Sequence, residues 1–385
     1  MSERLIYLDN AATTPVHPEV WRAMEPYALE LYGNPASAYA FAKKAEKAVK
    51  AARASLAVVI GTQPREIYFT SGGTESDNWA LKAAAENGGH IITTLIEHHA
   101  VLNTCVWLEK RGVEITYLTV DEYGMVSPAD VERAIRPDTA LISVMTANNE
   151  IGTIQPIEEI GAIAKQYGIP FHTDAVQAFG HIPIDVNVMH IDILSASAHK
   201  LGGPKGVGML YVRSGVELGS FLHGGAQERG LRAGTTNVPG AVGFAKAAEI
   251  SAAAMKQNAA KQKALRDHLI GRILEEIPDC RLNGHPEKRL ANNVNFCFSG
   301  IEGETLLMHL SREGICASSG SACATGSEEP SHVLRAIGLS DAIARGSLRL
   351  TLSERTTQEE INFAADALKN ILAKLRRISA GFGEE

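Results

Sequence analysis

The sequence predicts an α/β protein, with a large domain built on a mostly parallel sheet flanked by helices and a smaller α+β domain. Three observations predict it. From Ile67 to Leu194, short apolar runs alternate with helical stretches, the pattern of βα units that lay strands side by side in parallel. Near Val238 that alternation gives way to a long Ala/Lys/Glu-rich helical stretch reaching about Ile277, beyond which strands and helices mix. The chain has 385 residues, 45% hydrophobic and 21% charged, enough for two cores of ordinary globular composition. The expected division places residues 15–255 in the large domain, and residues 1–14 with 256–385 in the small one.

The elements follow in order. Leu5 to Asp9 reads as a short strand and Asn10 to Pro15 as a turn. Helical spacing runs from Glu19 to about Leu31, ended by Gly33-Asn34-Pro35. From Ala40 to Ile60 the apolar residues recur at three and four, an amphipathic helix with Gly61 as its C′ residue. Strands are expected at Ile67–Thr70, Ile91–Leu95, Ile115–Val120, Leu141–Met145, Pro170–Thr173 and Ile191–Leu194, with helices from Gly73, Ala100, Pro128 and Ile157. Ser127-Pro128-Ala129-Asp130 carries a cap residue, a proline at the first helical position and an acid in the first turn. In the second domain, strands are expected at Asn293–Phe298 and Leu348–Leu352, and helices at Glu304–Leu310 and Gln358–Arg377.

Composition excludes several classes. A net charge of −7 argues against a general nucleic-acid or anionic-membrane binder. No apolar run approaches the length of a membrane-spanning helix, and the first residues lack a basic region followed by an apolar stretch. The five cysteines are an odd number with no CxxC pair, which suits a reducing cytoplasm rather than a disulfide framework or zinc site. A cytoplasmic protein without membrane, nucleic-acid or metal partners is the expectation.

The chemistry gathers where strands end. Ser195-Ala196-Ser197-Ala198-His199-Lys200 follows an apolar run and precedes Gly202-Gly203-Pro204-Lys205-Gly206. Most lysines are simply solvated, but one at a strand's carboxyl end in an α/β sheet lies where ligands bind. Desolvated there, its amine suits a Schiff base with a carbonyl. Gly72-Gly73-Thr74, between a strand and a helix, offers bare amides and a hydroxyl to a phosphate; a tight turn explains it equally well. Asp174 suits a protonated ring nitrogen or, equally, a helix N-cap. A lysine, an acid, a phosphate cradle and an aromatic ring on successive βα units are together what pyridoxal phosphate requires.

The ordered motifs Tyr7-Leu8-Asp9-Asn10-Ala11-Ala12-Thr13-Thr14-Pro15, Thr70-Ser71-Gly72-Gly73-Thr74-Glu75-Ser76-Asp77-Asn78, Glu97-His98, Asn148-Asn149-Glu150-Ile151-Gly152, Asp174-Ala175-Val176-Gln177 and Ser197-Ala198-His199-Lys200 carry a resemblance over nearly the whole chain. It resembles the cysteine desulfurases of the NifS/IscS type, in the class V aminotransferase family of fold-type I pyridoxal-phosphate enzymes. Ser318-Ser319-Gly320-Ser321-Ala322-Cys323-Ala324-Thr325-Gly326 separates this branch from aminotransferases. Its small and polar residues predict little apolar anchorage and a mobile loop.

The resemblance implies that Lys200 carries pyridoxal 5′-phosphate and, once displaced, moves a proton. Asp174 would pair with the ring nitrogen, His98 would lie on the ring face and assist proton transfer, and Gln177 and Asn149 would approach ring substituents or substrate. Gly73, Thr74, Ser197 and His199 would bind the phosphate, with Thr235 reaching it from the neighbouring subunit of a homodimer. Arg349 would clamp the carboxylate of L-cysteine. Cys323 would take the sulfur as a persulfide, L-alanine would leave, and the sulfur would pass to an iron–sulfur scaffold or another thiol acceptor. Cys105, Cys280 and Cys297 read as small buried hydrophobes. Selenocysteine lyase and cysteine β-lyase are the alternatives on the same fold. Ala226 stands in Gly224-Gly225-Ala226-Gln227-Glu228 where relatives often carry a third glycine.

Overall fold

A computed structural model describes residues 5–86, 88–320 and 330–381. Among them the strands are Ile6–Tyr7 (β1), Ile67–Thr70 (β2), His90–Thr94 (β3), Glu114–Leu118 (β4), Thr139–Ser143 (β5), Phe171–Asp174 (β6), Ile193–Ser197 (β7), Gly208–Val212 (β8), Cys280–Leu282 (β9), Asn293–Phe298 (β10), Ile315–Cys316 (β11) and Ser347–Thr351 (β12). The main sheet has seven strands in the order β2-β8-β7-β6-β5-β3-β4. Only β8 runs antiparallel to its neighbours. The chain therefore grows outward in opposite directions from the β3–β5 contact, and ligands bind at the carboxyl ends beside such a reversal.

Most expected elements form with ends shifted by a few residues, and the differences have local causes. β8, Gly208-Met209-Leu210-Tyr211-Val212, was not expected: no α-helix separates it from β7, so it falls outside the strand–helix alternation. It returns from β7 through residues 198–207, which hold a single helical turn and no α-helix. β6 and β7 run further than expected, so Asp174 and Ser197 are the last residues of their strands. No helix starts at Asp174; its carboxylate instead accepts the Val176 amide at 2.8 Å across a turn. Ser127 stands at the cap position of the Pro128–Ala134 helix, but its side chain makes no capping hydrogen bond. Gly61 closes the Ala42–Val59 helix at φ +72°, as its spacing suggested.

Two apolar cores share one element, the single helix Val238–Glu276. Its first turns, with Ala241, Phe244 and Ala248, pack under the main sheet. Its last turns, with Leu265, Leu269 and Ile273, pack against the antiparallel sheet β9-β10-β12. The start of the chain belongs with that second group: β1 pairs in parallel with β11, and Asp9 bridges to Thr351. No helix among the described residues is long and apolar enough to cross a membrane.

Candidate active site

The carboxyl ends of the parallel strands open into a cavity of about 270 Å³. Gly73, Thr74, His98, Asn149, Asp174, Gln177, Ser197, His199, Lys200 and Arg349 all line it. Two expected site residues are not among them. Thr235 is exposed in the loop before the Val238–Glu276 helix, and Cys323 lies outside the described residues. Gly320, which directly precedes the stretch around Cys323, and His332, three residues past its end, do line the cavity.

Lys200 ends a single helical turn just past β7. Its Nζ donates to the carbonyls of Ala11 at 2.5 Å and Ala12 at 2.8 Å. Gln177 donates to the same Ala11 carbonyl at 3.0 Å. The turn at Asn10–Thr14, in sequence merely a turn, thus locates the lysine. It is held in place by Thr351, whose carbonyl accepts from Asn10 Nδ2 at 2.7 Å and whose Oγ1 accepts from the Ala11 amide at 2.9 Å.

Beside the lysine, the Gly73–Ala84 helix presents its amino end to the cavity. A Cβ on Gly73 would come within 2.5 Å of Val176 Cγ2, so only glycine lets that backbone approach. The first amides of a helix have no partner within it, and with Thr74, Ser197 and His199 they form a set of donors suited to a phosphate. Burial and the charges of Lys200 and Lys205 hold the His199 imidazole down at about 4.

The floor is acidic. Asp174 is buried, and desolvation raises its pKa. Asp77, which sequence reasoning passed over inside its motif, also lines the cavity, fully buried, and its pKa is raised by desolvation and by Asp174. Its Oδ1 has no hydrogen-bond partner, and the 3.6 Å to His172 Nε2 is beyond hydrogen-bond reach. His172 itself is held neutral by burial, its pKa down at about 3. A buried acidic pair of this kind, with one Asp77 oxygen left without a hydrogen bond, fits a cationic ring nitrogen placed over it. With the donor set at one end and Lys200 at the other, the residues present fit pyridoxal phosphate.

Arg349, on β12, is buried and reaches the cavity from the second core. It pairs with Asp9 at 2.8 Å and donates to the carbonyls of Asn149 at 3.0 Å and Gly320 at 3.1 Å. Its Nε has no partner. Burial lifts the Cys105 thiol to about 12 and the Cys297 thiol to about 11, as expected of inert buried thiols. Cys280 departs from the expectation, being only half-buried on an edge strand.

Glu97, beneath His98, gives a test of this electrostatic picture. One oxygen accepts from Thr94 Oγ1 at 2.7 Å and from the Met145 amide at 3.0 Å; the other has no partner. Burial pushes its carboxyl up to about 8. The folded state thus keeps a proton that the unfolded chain releases near ~4.3, and its stability falls as pH rises toward the folded pKa. The buried histidines His98, His172 and His199 are lowered and work in the opposite sense, but only below ~6.5. Glu97 should therefore contribute a loss of up to about 2 kcal/mol between ~pH 6.5 and ~8 in cofactor-free protein, beside a loss of the same sign from the raised Asp77. Denaturant titrations of Glu97→Gln should show that slope flattened; an unchanged slope would contradict a protonated Glu97.

The chain belongs to the class-V aminotransferase family, whose model matches residues 6–363. It is 56% identical over 380 residues to a cysteine desulfurase IscS of Methanosarcina thermophila, covering 98% of this chain and 94% of that protein. Among solved structures, a NifS-like protein matches with a TM-score of 0.91 at 40% identity, covering 96% of this chain and 100% of that one. A structure of SspA in complex with cysteine matches with a TM-score of 0.81 at 42% identity, covering 91% of this chain and 100% of that one.

Proposed function

We propose that the protein is a pyridoxal-phosphate-dependent cysteine desulfurase, which converts L-cysteine to L-alanine and leaves the sulfur as a persulfide on Cys323. The observation that carries this reading is the convergence, in one cavity, of Lys200, the Asp174 floor, the helix amino end at Gly73 and the buried Arg349. The high identity to proteins named cysteine desulfurase supports it. Bound there, the cofactor supplies an electron sink that makes the substrate Cα–H acidic.

The chain's own residues do the rest. Gly73, Thr74, Ser197 and His199 would hold the phosphate, and Asp174 would pair with the ring nitrogen. Lys200 would anchor the cofactor, and its amine, placed at the Ala11 and Ala12 carbonyls, would take up the Cα proton. His98 would lie beside the ring. Its Nδ1 accepts the Ala100 amide at 3.1 Å, so the neutral ring carries its hydrogen on Nε2. Arg349 receives the substrate carboxylate, helped by Asn149. Cys323 attacks the substrate sulfur.

The division into residues 15–255 and residues 1–14 with 256–385 belongs to the same proposal, supported by the two apolar cores. So do a homodimer in which Thr235 reaches the partner's phosphate site, cytoplasmic residence, and delivery of sulfur to an iron–sulfur scaffold or another thiol acceptor. The decisive experiment is a product assay with L-cysteine. One alanine per sulfur transferred is expected, with a protein-bound persulfide when reductant is withheld. Pyruvate and free sulfide, without persulfide, would refute the reading in favour of β-elimination.

A further inference from the structure

Between Arg349 and His98 runs a line of polar residues, Glu150, Ser331, His332 and His99, that hold neither cofactor nor substrate carboxylate in the reading above. Arg349 donates to the Gly320 carbonyl, and a Cβ on Gly320 would lie 2.9 Å from Glu150 Oε2. The same Glu150 oxygen accepts from Ser331 Oγ at 2.5 Å. His332 follows, its ring 4.7 Å from that of His99, which neighbours His98 at 6.3 Å. Glu150, His99 and His332 all line the cavity. A substrate whose carboxylate is held by Arg349 has this line of groups beside it.

We propose that His332 accepts the thiol proton of L-cysteine in the desulfurase reaction, a role that rests on the function proposed above. Its Nε2 lies 2.9 Å from the Glu97 carbonyl. A carbonyl oxygen only accepts, so Nε2 bears the hydrogen and Nδ1 keeps the basic lone pair. His98 has the reverse arrangement, with Nδ1 engaged by an amide, and in neutral form is a donor. Burial lowers the pKa of His332, and burial with the neighbouring His332 lowers that of His99, so both imidazoles are neutral near pH 7. Glu150 faces the pair from the loop after β5, with Lys200 and Arg349 the cavity's cations and Asp174 and Asp77 its floor.

The step balances without an outside oxidant. The substrate S–H proton passes to His332 and the thiolate pair of Cys323 forms the S–S bond. The C–S bond breaks with its pair left on Cβ, which takes a proton to become the methyl of alanine.

A selenol is already ionised at neutral pH and needs no such base, so L-selenocysteine separates a chemical role from a structural one. His332→Gln keeps a side-chain N–H for the Glu97 carbonyl but removes the base. Alanine formation from each amino acid should be followed at saturation in holoenzyme. The kcat ratio of cysteine to selenocysteine is expected to fall about 10²-fold in the variant, the usual scale of general-base catalysis. The KM for cysteine should stay within about threefold, because Arg349 and Lys200 remain and chemistry, not binding, is what loses the base. The cysteine rate should recover as pH rises toward the thiol's own pKa of ~8.5. An unchanged ratio, whether both rates survive or both collapse together, would overturn the assignment. A wild type that forms no alanine from L-cysteine would instead refute the desulfurase reading itself.

Discussion

Cys323→Ser is expected to form almost no alanine from L-cysteine while still binding the cofactor and changing colour on addition of substrate. Lowering the barrier to Cα–H cleavage depends on Lys200 and the cofactor, and those groups are untouched by the substitution. Sulfur transfer is different, because it needs a protein thiolate, and a serine hydroxyl is hardly ionised at neutral pH. The loss in turnover should be on the order of 10³-fold or more, comparable to removing an activated nucleophile elsewhere. Mass spectrometry of the wild type after brief exposure to L-cysteine without reductant should place one added sulfur on the Cys323 peptide. Serine at Cys105 or Cys297 should leave turnover intact, since both are buried with thiol pKa values raised to about 12 and about 11. Sulfur found only on another cysteine, or full turnover by Cys323→Ser, would overturn the role of Cys323.

Lys200→Ala should be equally severe by a different route. Its amine lies within hydrogen-bond reach of two backbone carbonyls, at a fixed point on the cavity wall. Removing it takes away both the covalent anchor of the cofactor and the base for the Cα proton. Turnover should fall by on the order of 10³-fold or more, combining general-base and nucleophilic losses. The visible absorption of the resting enzyme should shift to that of free carbonyl cofactor. Because Asp174 and the Gly73 cradle remain, some cofactor should still bind, and an exogenous primary amine should restore part of the rate. Near-normal activity and colour in Lys200→Ala would exclude the assignment.

What could be read in the sequence was whatever chemistry sits next to a strand end. Lys200, Asp174 and Gly73-Thr74 each follow an apolar run within a few residues, and parallel strands carry such residues to one edge. The groups that escaped are of three kinds. The carbonyls of Ala11 and Ala12 are backbone atoms with no residue-type signature. Asp77 and Glu97 looked like ordinary members of helix-start motifs, and only their burial, for Asp77 at the cavity floor, makes them unusual. His332 lies far along the chain from His99, and only packing of the second core against the main sheet brings the two rings together. β8 was missed because it follows β7 without an intervening α-helix, outside the strand–helix alternation that marked the other strands of its sheet.

The order in which the chain is synthesised now matters. Residues 8–12 are made long before β12, yet their turn is held by Thr351, and Asp9 is held by Arg349. A nascent chain therefore has every strand of the main sheet, and Asp174 and Lys200 with them, long before it has the clasp that holds the Ala11 and Ala12 carbonyls to the lysine amine. Cofactor taken up during translation would meet a half-built cavity. Stable capture belongs to a chain long enough to include β12, after that strand has met residues 8–12.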